Sequence, residues 1–145
     1  MKLAGIRKDL IPTEEAEQRA LAQWLDLHKI LWCHVPNGGQ RSKAVAGKLK
    51  AAGVKAGVCD VLVFDPPWRC KACRLTGASP CGHLIDEVGV AIELKRAKPA
   101  SSRISDEQAQ WMDRLSAVGW FVQVCYGASE AIALLESLGF GGART

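Results

Sequence analysis

No apolar run in this 145-residue chain is long enough to cross a bilayer, so no membrane partner is expected. The opening residues, Met1-Lys2-Leu3-Ala4-Gly5-Ile6-Arg7-Lys8, lack the sustained apolar core of a signal peptide. The expected compartment is therefore the cytoplasm, where thiols stay reduced. Internal repeats and low-complexity segments are missing as well, which sets repeat architectures aside. A further absence is local: from Lys29 to Cys59 there is no acidic residue, whereas Lys29, Arg41, Lys43, Lys48, Lys50 and Lys55 are all basic. A stretch of one sign suits a polyanion backbone, whose counterions it displaces. It also suits an ordinary solvated face.

What is present describes a globular domain. Hydrophobic residues make up 48%, charged residues 23%, and net charge is +4. A chain of this size buries a proper core, and one domain over residues 1–145 is expected. Residues 1–12 read as a loose arm. Thr13 offers an N-cap, and Glu14, Glu15 and Glu17 suit the positive end of a helix over about 14–29. Glu14, Gln18, Leu21 and Leu25 form one stripe of that helix, so Glu14 ends a core-facing row. A strand over 30–35 stops at Pro36-Asn37-Gly38-Gly39, and a short basic helix over about 43–52 follows.

Two later strands carry charge where strands rarely do. In Val88-Gly89-Val90-Ala91-Ile92-Glu93-Leu94-Lys95, alternation puts Ala91, Glu93 and Lys95 on one face and Val90, Ile92 and Leu94 on the other. A run this apolar suggests a buried strand, where charges persist only if paired or holding a metal. A solvated pair at a strand end is the plain alternative. Asp60 opens the other strand, Val58-Cys59-Asp60-Val61-Leu62-Val63-Phe64, although Asp is disfavoured there. The two strands are expected to pair antiparallel through a long loop. If Asp60 and Glu93 share a side, their mutual repulsion calls for a hard cation such as Mg²⁺ or Mn²⁺. Ser105 and Gln108 bracket a capping box that opens a helix to about residue 118, with Trp111, Leu115 and Val118 as its buried stripe. Gln108 falls beside that stripe, a position that would aim it inward near the strand end; the cap itself, reaching back to the Ser105 amide, is its alternative role. A buried strand over 119–126 and a helix over 131–138 complete an α/β order with a central mixed sheet flanked by helices.

Residues 65–87 separate the two charged strands and contain Cys70-x2-Cys73-x7-Cys81-x-His83. Three thiols and an imidazole at this spacing fit a closed, structural Zn²⁺ site that would order a long insert. A redox pair at Cys70 and Cys73, or free thiols, are the alternatives, but only zinc uses all four side chains. Cys33, Cys59 and Cys125 lie in apolar strands and are expected in the core.

Gly57-Val58-Cys59-Asp60, Glu93-Leu94-Lys95-Arg96 and Gln108, taken together, resemble the PD-(D/E)xK nuclease signature. More closely, the chain is similar to the VRR-NUC domain, particularly its small stand-alone members from phages and bacteria. The likeness extends to the acid-rich opening helix with Gln18, Val35-Pro36-Asn37-Gly38, Gly53-Val54-x2-Gly57, Trp111, and Gly119 with Val124-Cys125-Tyr126-Gly127. It departs at Cys59, where the family usually has Pro, and in the Cys-rich insert between two core strands. The resemblance implies a restriction-endonuclease-like core and an Mg²⁺- or Mn²⁺-dependent endodeoxyribonuclease of a bacterial or phage-infected cell. It implies that Asp60, Glu93 and the Leu94 carbonyl hold the metal and that Lys95 and Gln108 act beside it. It also implies an acid from the first helix: Glu14 by position, then Glu17, then Glu15. Arg41, Lys43, Lys48 and Lys50 would grip phosphates. Small stand-alone relatives of this kind act as homodimers on branched DNA, resembling Holliday-junction resolvases. The alternatives are a nicking, flap or restriction-like nuclease, or a zinc-stabilised nucleic-acid-binding module without catalysis.

The insert generates one prediction. Metal analysis of the purified protein should find stoichiometric zinc, and Cys70→Ser should lose it; wild-type protein without zinc would dispose of the four-ligand site.

Overall fold

The computed structural model describes residues 7–37, 41–65, 67 and 87–141. Cys70, Cys73, Cys81 and His83 lie outside the described residues, as do the opening six residues and the end of the chain from 142.

A 3-10 turn at Lys8–Leu10 precedes α1 (Glu14–Leu27), β1 (Trp32–His34), α2 (Lys43–Ala51), β2 (Val61–Val63), β3 (Val90–Lys95), α3 (Asp106–Ala117), β4 (Phe121–Tyr126) and α4 (Ala128–Ser137). The four strands form one mixed sheet in the order β1-β2-β3-β4. β1–β2 and β2–β3 are antiparallel, and β3–β4 is parallel, reached through α3. This is the expected α/β arrangement of a mixed sheet flanked by helices, with the two charged strands paired antiparallel.

The core lies on one face of the sheet. Val61 and Val63 of β2 and Val90, Ile92 and Leu94 of β3 meet Leu21 and Leu25 of α1 and Ala131 and Leu135 of α4. Leu21 and Leu25 are fully enclosed, each worth about 1.5–3 kcal/mol of apolar burial. Their i, i+4 spacing continues back through Gln18 to Glu14, so anchoring the two leucines aims the start of α1 at the end of β3.

Several expectations needed correction. The strands are shorter than their apolar runs, because β1 and β2 pair over only three residues each. β4 is an edge strand rather than a buried one: Cys125 is enclosed but Gln123 is exposed. Val118 is 68% exposed, since it is the C-cap residue of α3 and has left the helical stripe. Cys59 and Cys125 are buried, but Cys33 is exposed on the edge strand β1. Helix α4 begins at Ala128, three residues before the expected start, because Glu17 of α1 accepts the Ala128 N–H across the core. Gly127, at φ 93°, makes the turn into that contact.

Residues 7–12 are not a loose arm. Ile11 is 8% exposed, and the Arg96 guanidinium at the end of β3 donates to the carbonyls of Pro12 (2.8 Å), Ile11 (2.6 Å) and Lys8 (3.2 Å). One side chain thus ties the entry of α1 to the strand that carries Glu93 and Lys95. Arg96→Ala should lower stability by about 1–3 kcal/mol, the scale of hydrogen bonds to a charged group, read as a shifted urea midpoint. An unchanged midpoint would show that the arm is held without it.

Candidate active site

The register Val61↔Ile92, continued by one residue, sets Asp60 opposite Glu93. Directly opposed residues of an antiparallel pair share a face, so the two carboxyls lie on the same side of the sheet, close enough for each to shift the other's protonation. Asp60 is fixed from three directions. Its Oδ2 accepts the Leu94 N–H at 2.8 Å, and its carbonyl accepts from the Val35 N–H at 2.8 Å and from His34 Nδ1 at 2.8 Å. Gly57 permits the approach: a Cβ there, at φ 88°, would lie 2.6 Å from the Glu107 carbonyl carbon of α3.

Glu93 is 1% exposed and Lys95 5%. Lys95 Nζ lies 3.3 Å from Glu93 Oε1 and 3.3 Å from Gln108 Oε1. Gln108 Nε2 donates to the same Glu93 oxygen, while Gln108 Oε1 also accepts the Ser105 N–H to close the capping box. The cap and the inward contact are therefore one arrangement. Glu93 Oε2 is buried with no hydrogen-bond partner.

Electrostatics follow from this enclosure. Desolvation raises the Glu93 carboxyl to about 7, with the Asp60 charge adding and Lys95 opposing. Asp60 is also raised, chiefly by desolvation, against the Leu94 amide, Lys95 and His34. Glu14 stands at the rim, its carboxyl raised by desolvation, lowered by Lys95, raised by Asp60 and lowered by Arg96. Of the three helix acids only Glu14 joins this group. Glu17 is committed to Ala128, and Glu15 is exposed and paired with Arg19 at 2.7 Å.

A cleft of about 500 Å³ opens beside the carboxylates, with Glu14, Gln18, His34, Asn37, Asp60 and Leu94 among its walls. Reading the sequence for catalytic groups passed over two of these. Gln18 Nε2 is buried without a partner. His34 carries a hydrogen on Nδ1, since a carbonyl only accepts. The alternation that placed His34 in a strand held no sign of its nearness to Asp60, 26 residues away. Arg41, Lys43, Lys48 and Lys50 are all exposed, on α2 or just before it. They are not among the charges that shift Asp60 or Glu93.

Among the described residues, no three His, Cys, Asp or Glu side chains converge closely enough to cage a metal unaided. No helix among them is long and apolar enough to cross a membrane.

Comparison with known proteins agrees with this fold. A solved structure described as a VRR_NUC domain protein superposes with a TM-score of 0.62 at 21% identity, covering 90% of this chain and 93% of the other. No curated protein matches. The family model of the VRR-NUC domain matches residues 12–129, from just before α1 to the first residues of α4. The chain belongs to the VRR-NUC domain family.

Proposed function

We propose that the nuclease-type function implied by family membership is, in this chain, metal-dependent endonucleolytic hydrolysis of DNA phosphodiesters at the Asp60–Glu93–Lys95 cluster. The observation that carries it is Glu93 Oε2, a buried carboxylate oxygen without a partner, next to a second carboxyl and one ammonium. Two acids against one lysine leave an excess of negative charge that a hard divalent cation offsets, and the all-oxygen donor set favours Mg²⁺ or Mn²⁺. Asp60, Glu93 and the Leu94 carbonyl would hold it. With only two close carboxylates, water completes the shell, as Mg²⁺ prefers. When bound, such an ion supplies a polarised phosphoryl oxygen, a more acidic water and neutralisation of the leaving alkoxide.

The protein's own groups do the rest. Lys95, held between Glu93 and Gln108, orients the attacking water and offsets charge growing on the phosphorane. Gln108 positions Lys95 and keeps one Glu93 oxygen occupied, so that the other faces the ion. Glu14 acts from the rim, through water. Arg41, Lys43, Lys48 and Lys50 contact phosphates without reading bases, which makes affinity steeply salt-dependent. We further propose action on branched DNA as a homodimer, because paired cuts at a junction need two sites related by symmetry. Zinc at Cys70, Cys73, Cys81 and His83 remains part of the proposal.

Lys95→Ala should abolish cleavage in Mg²⁺ while leaving DNA binding largely intact, read on gels with four-way junction, flap and linear duplex side by side. Retained cleavage would exclude the catalytic assignment; a preference for flap or duplex would overturn only the junction selectivity.

The raised carboxyls give a pH test. Between the ordinary glutamate value of 4.5 and about 7 the folded protein binds more protons at Glu93 than the unfolded chain does. The stability that Glu93 contributes without divalent ions is therefore fully present below 4.5 and is lost as pH rises through about 7. Glu93→Gln should flatten that fall in urea titrations, and Mg²⁺ should stabilise the wild type more on the alkaline side of the transition. An equal Mg²⁺ effect on both sides would count against Glu93 as a ligand.

A further inference from the structure

Helix α2 is nine residues long and none of them is buried. A helix this short is marginal by itself, and this one carries apolar side chains that the fold leaves uncovered: Val45 is 47% exposed and, just beyond the helix, Val54 is 41% exposed. The chain around it is held by polar ties instead. Asn37 donates to the Val58 carbonyl, and Arg41 donates to the Pro36 carbonyl at 2.9 Å.

Two hollows of about 300 and 370 Å³ lie along this helix and share Asn37, Arg41, Leu49, Val54 and Lys55. Their floor is apolar, with Val35, Leu49, Val54, Val58 and Trp111. Their rim carries Arg41, Lys50 and Lys55 and no acid. Both hollows also meet the catalytic cleft, through Asn37 in each and Pro36 in the larger one. The two hollows thus make an apolar channel with a cationic rim along α2, next to the carboxylate cleft.

We propose that this channel holds an unpaired strand of the nucleic-acid substrate where it leaves the duplex beside the cut. The charge selects the occupant: three cations without an acid favour a polyanion over an uncharged or basic protein segment. The floor selects its form. A duplex offers phosphates but keeps its bases stacked, which would leave the apolar surface empty; a single strand supplies bases to an aromatic and aliphatic floor while its phosphates meet the rim. Trp111 is the aromatic platform, and Val54 and Leu49 are the aliphatic walls. This rests on the nuclease reading for the direction of the strand toward the cleft, and it gives a place to a strand that unpairs at the branch of the substrate.

The test is run in chelator, where nothing is cut. A short duplex with a single-stranded tail, of either polarity, carries a fluorescent adenine analogue that dims on stacking, and is compared with the blunt duplex. Wild type should bind one tailed duplex about ten-fold more tightly than the blunt one, on the scale of one base stacked on an aromatic side chain, and should dim the analogue. Trp111→Ala and Val54→Asp should each bring that ratio close to one, and Trp111→Phe should restore it. Val54 is exposed, so its variant keeps the test valid should Trp111→Ala unfold. Equal binding of tailed and blunt DNA by wild type, or a ratio untouched by both variants, would overturn the proposal and leave the channel to an acidic protein segment. Tail preference in a protein that cleaves nothing in Mg²⁺ would sink the nuclease reading and spare the channel; cleavage without tail preference would do the reverse.

Discussion

The structure turns on a buried charge imbalance at the end of β3. Glu93 and Asp60 oppose each other across the β2–β3 pair, and among the described residues only Lys95 supplies positive charge at contact distance. Burying ions costs several kcal/mol each unless partners replace water, and the surrounding fold provides them. The Leu94 amide serves Asp60, Gln108 serves Glu93, and the Asp60 main chain is held by Val35 and His34. A sheet with a well-packed opposite face makes this possible, because Val90, Ile92 and Leu94 fix the strand while its other face carries the charges. Stability is given up here to hold two carboxyls beside one ammonium in an enclosed space.

Much of this was legible in the sequence, for physical reasons. Strand periodicity put Glu93 and Lys95 on one face of an apolar run, and the oddity of Asp60 at a strand start marked the second carboxylate. The capping box identified Gln108 because its pattern is local. Elements whose signals are local, such as α1 with its Thr13 cap and leucine stripe, came out within about two residues. What escaped depends on contacts between distant segments. The grip of Arg96 on three carbonyls joins residues more than eighty positions apart, so the segment before Thr13 read as unattached. Glu17 looked like one of three helix-dipole acids until its bond to Ala128 removed it from the catalytic candidates. Cys33 and β4 read as interior because apolar composition does not distinguish a central strand from an edge.

The same geometry divides the molecule by function. α1 and α4 close the core on one side through Leu21, Leu25, Ala131 and Leu135. The segment from His34 to Asp60 does the opposite: it buries little before Cys59, carries the basic residues, and leads from the carboxylates to the channel along α2. The acid-free stretch is thus a structural unit as well as a compositional one. Its lack of carboxylates would keep the approach to the proposed site free of like charge for a polyanion, while the acids of that site enter from β3, from the start of β2 and from the start of α1.

The dual use of Gln108 limits which residues that position can hold. A capping box is served equally by glutamine or glutamate at its third helical position, so α3 by itself would accept either. Here the amide nitrogen faces a carboxylate oxygen of Glu93. Glutamate would turn that donor into a third anion in an enclosed space and push its neighbours toward holding protons. The choice between two side chains of nearly the same shape is therefore made by the strand, not by the helix, and drift at this codon is confined by a neighbour fifteen residues upstream.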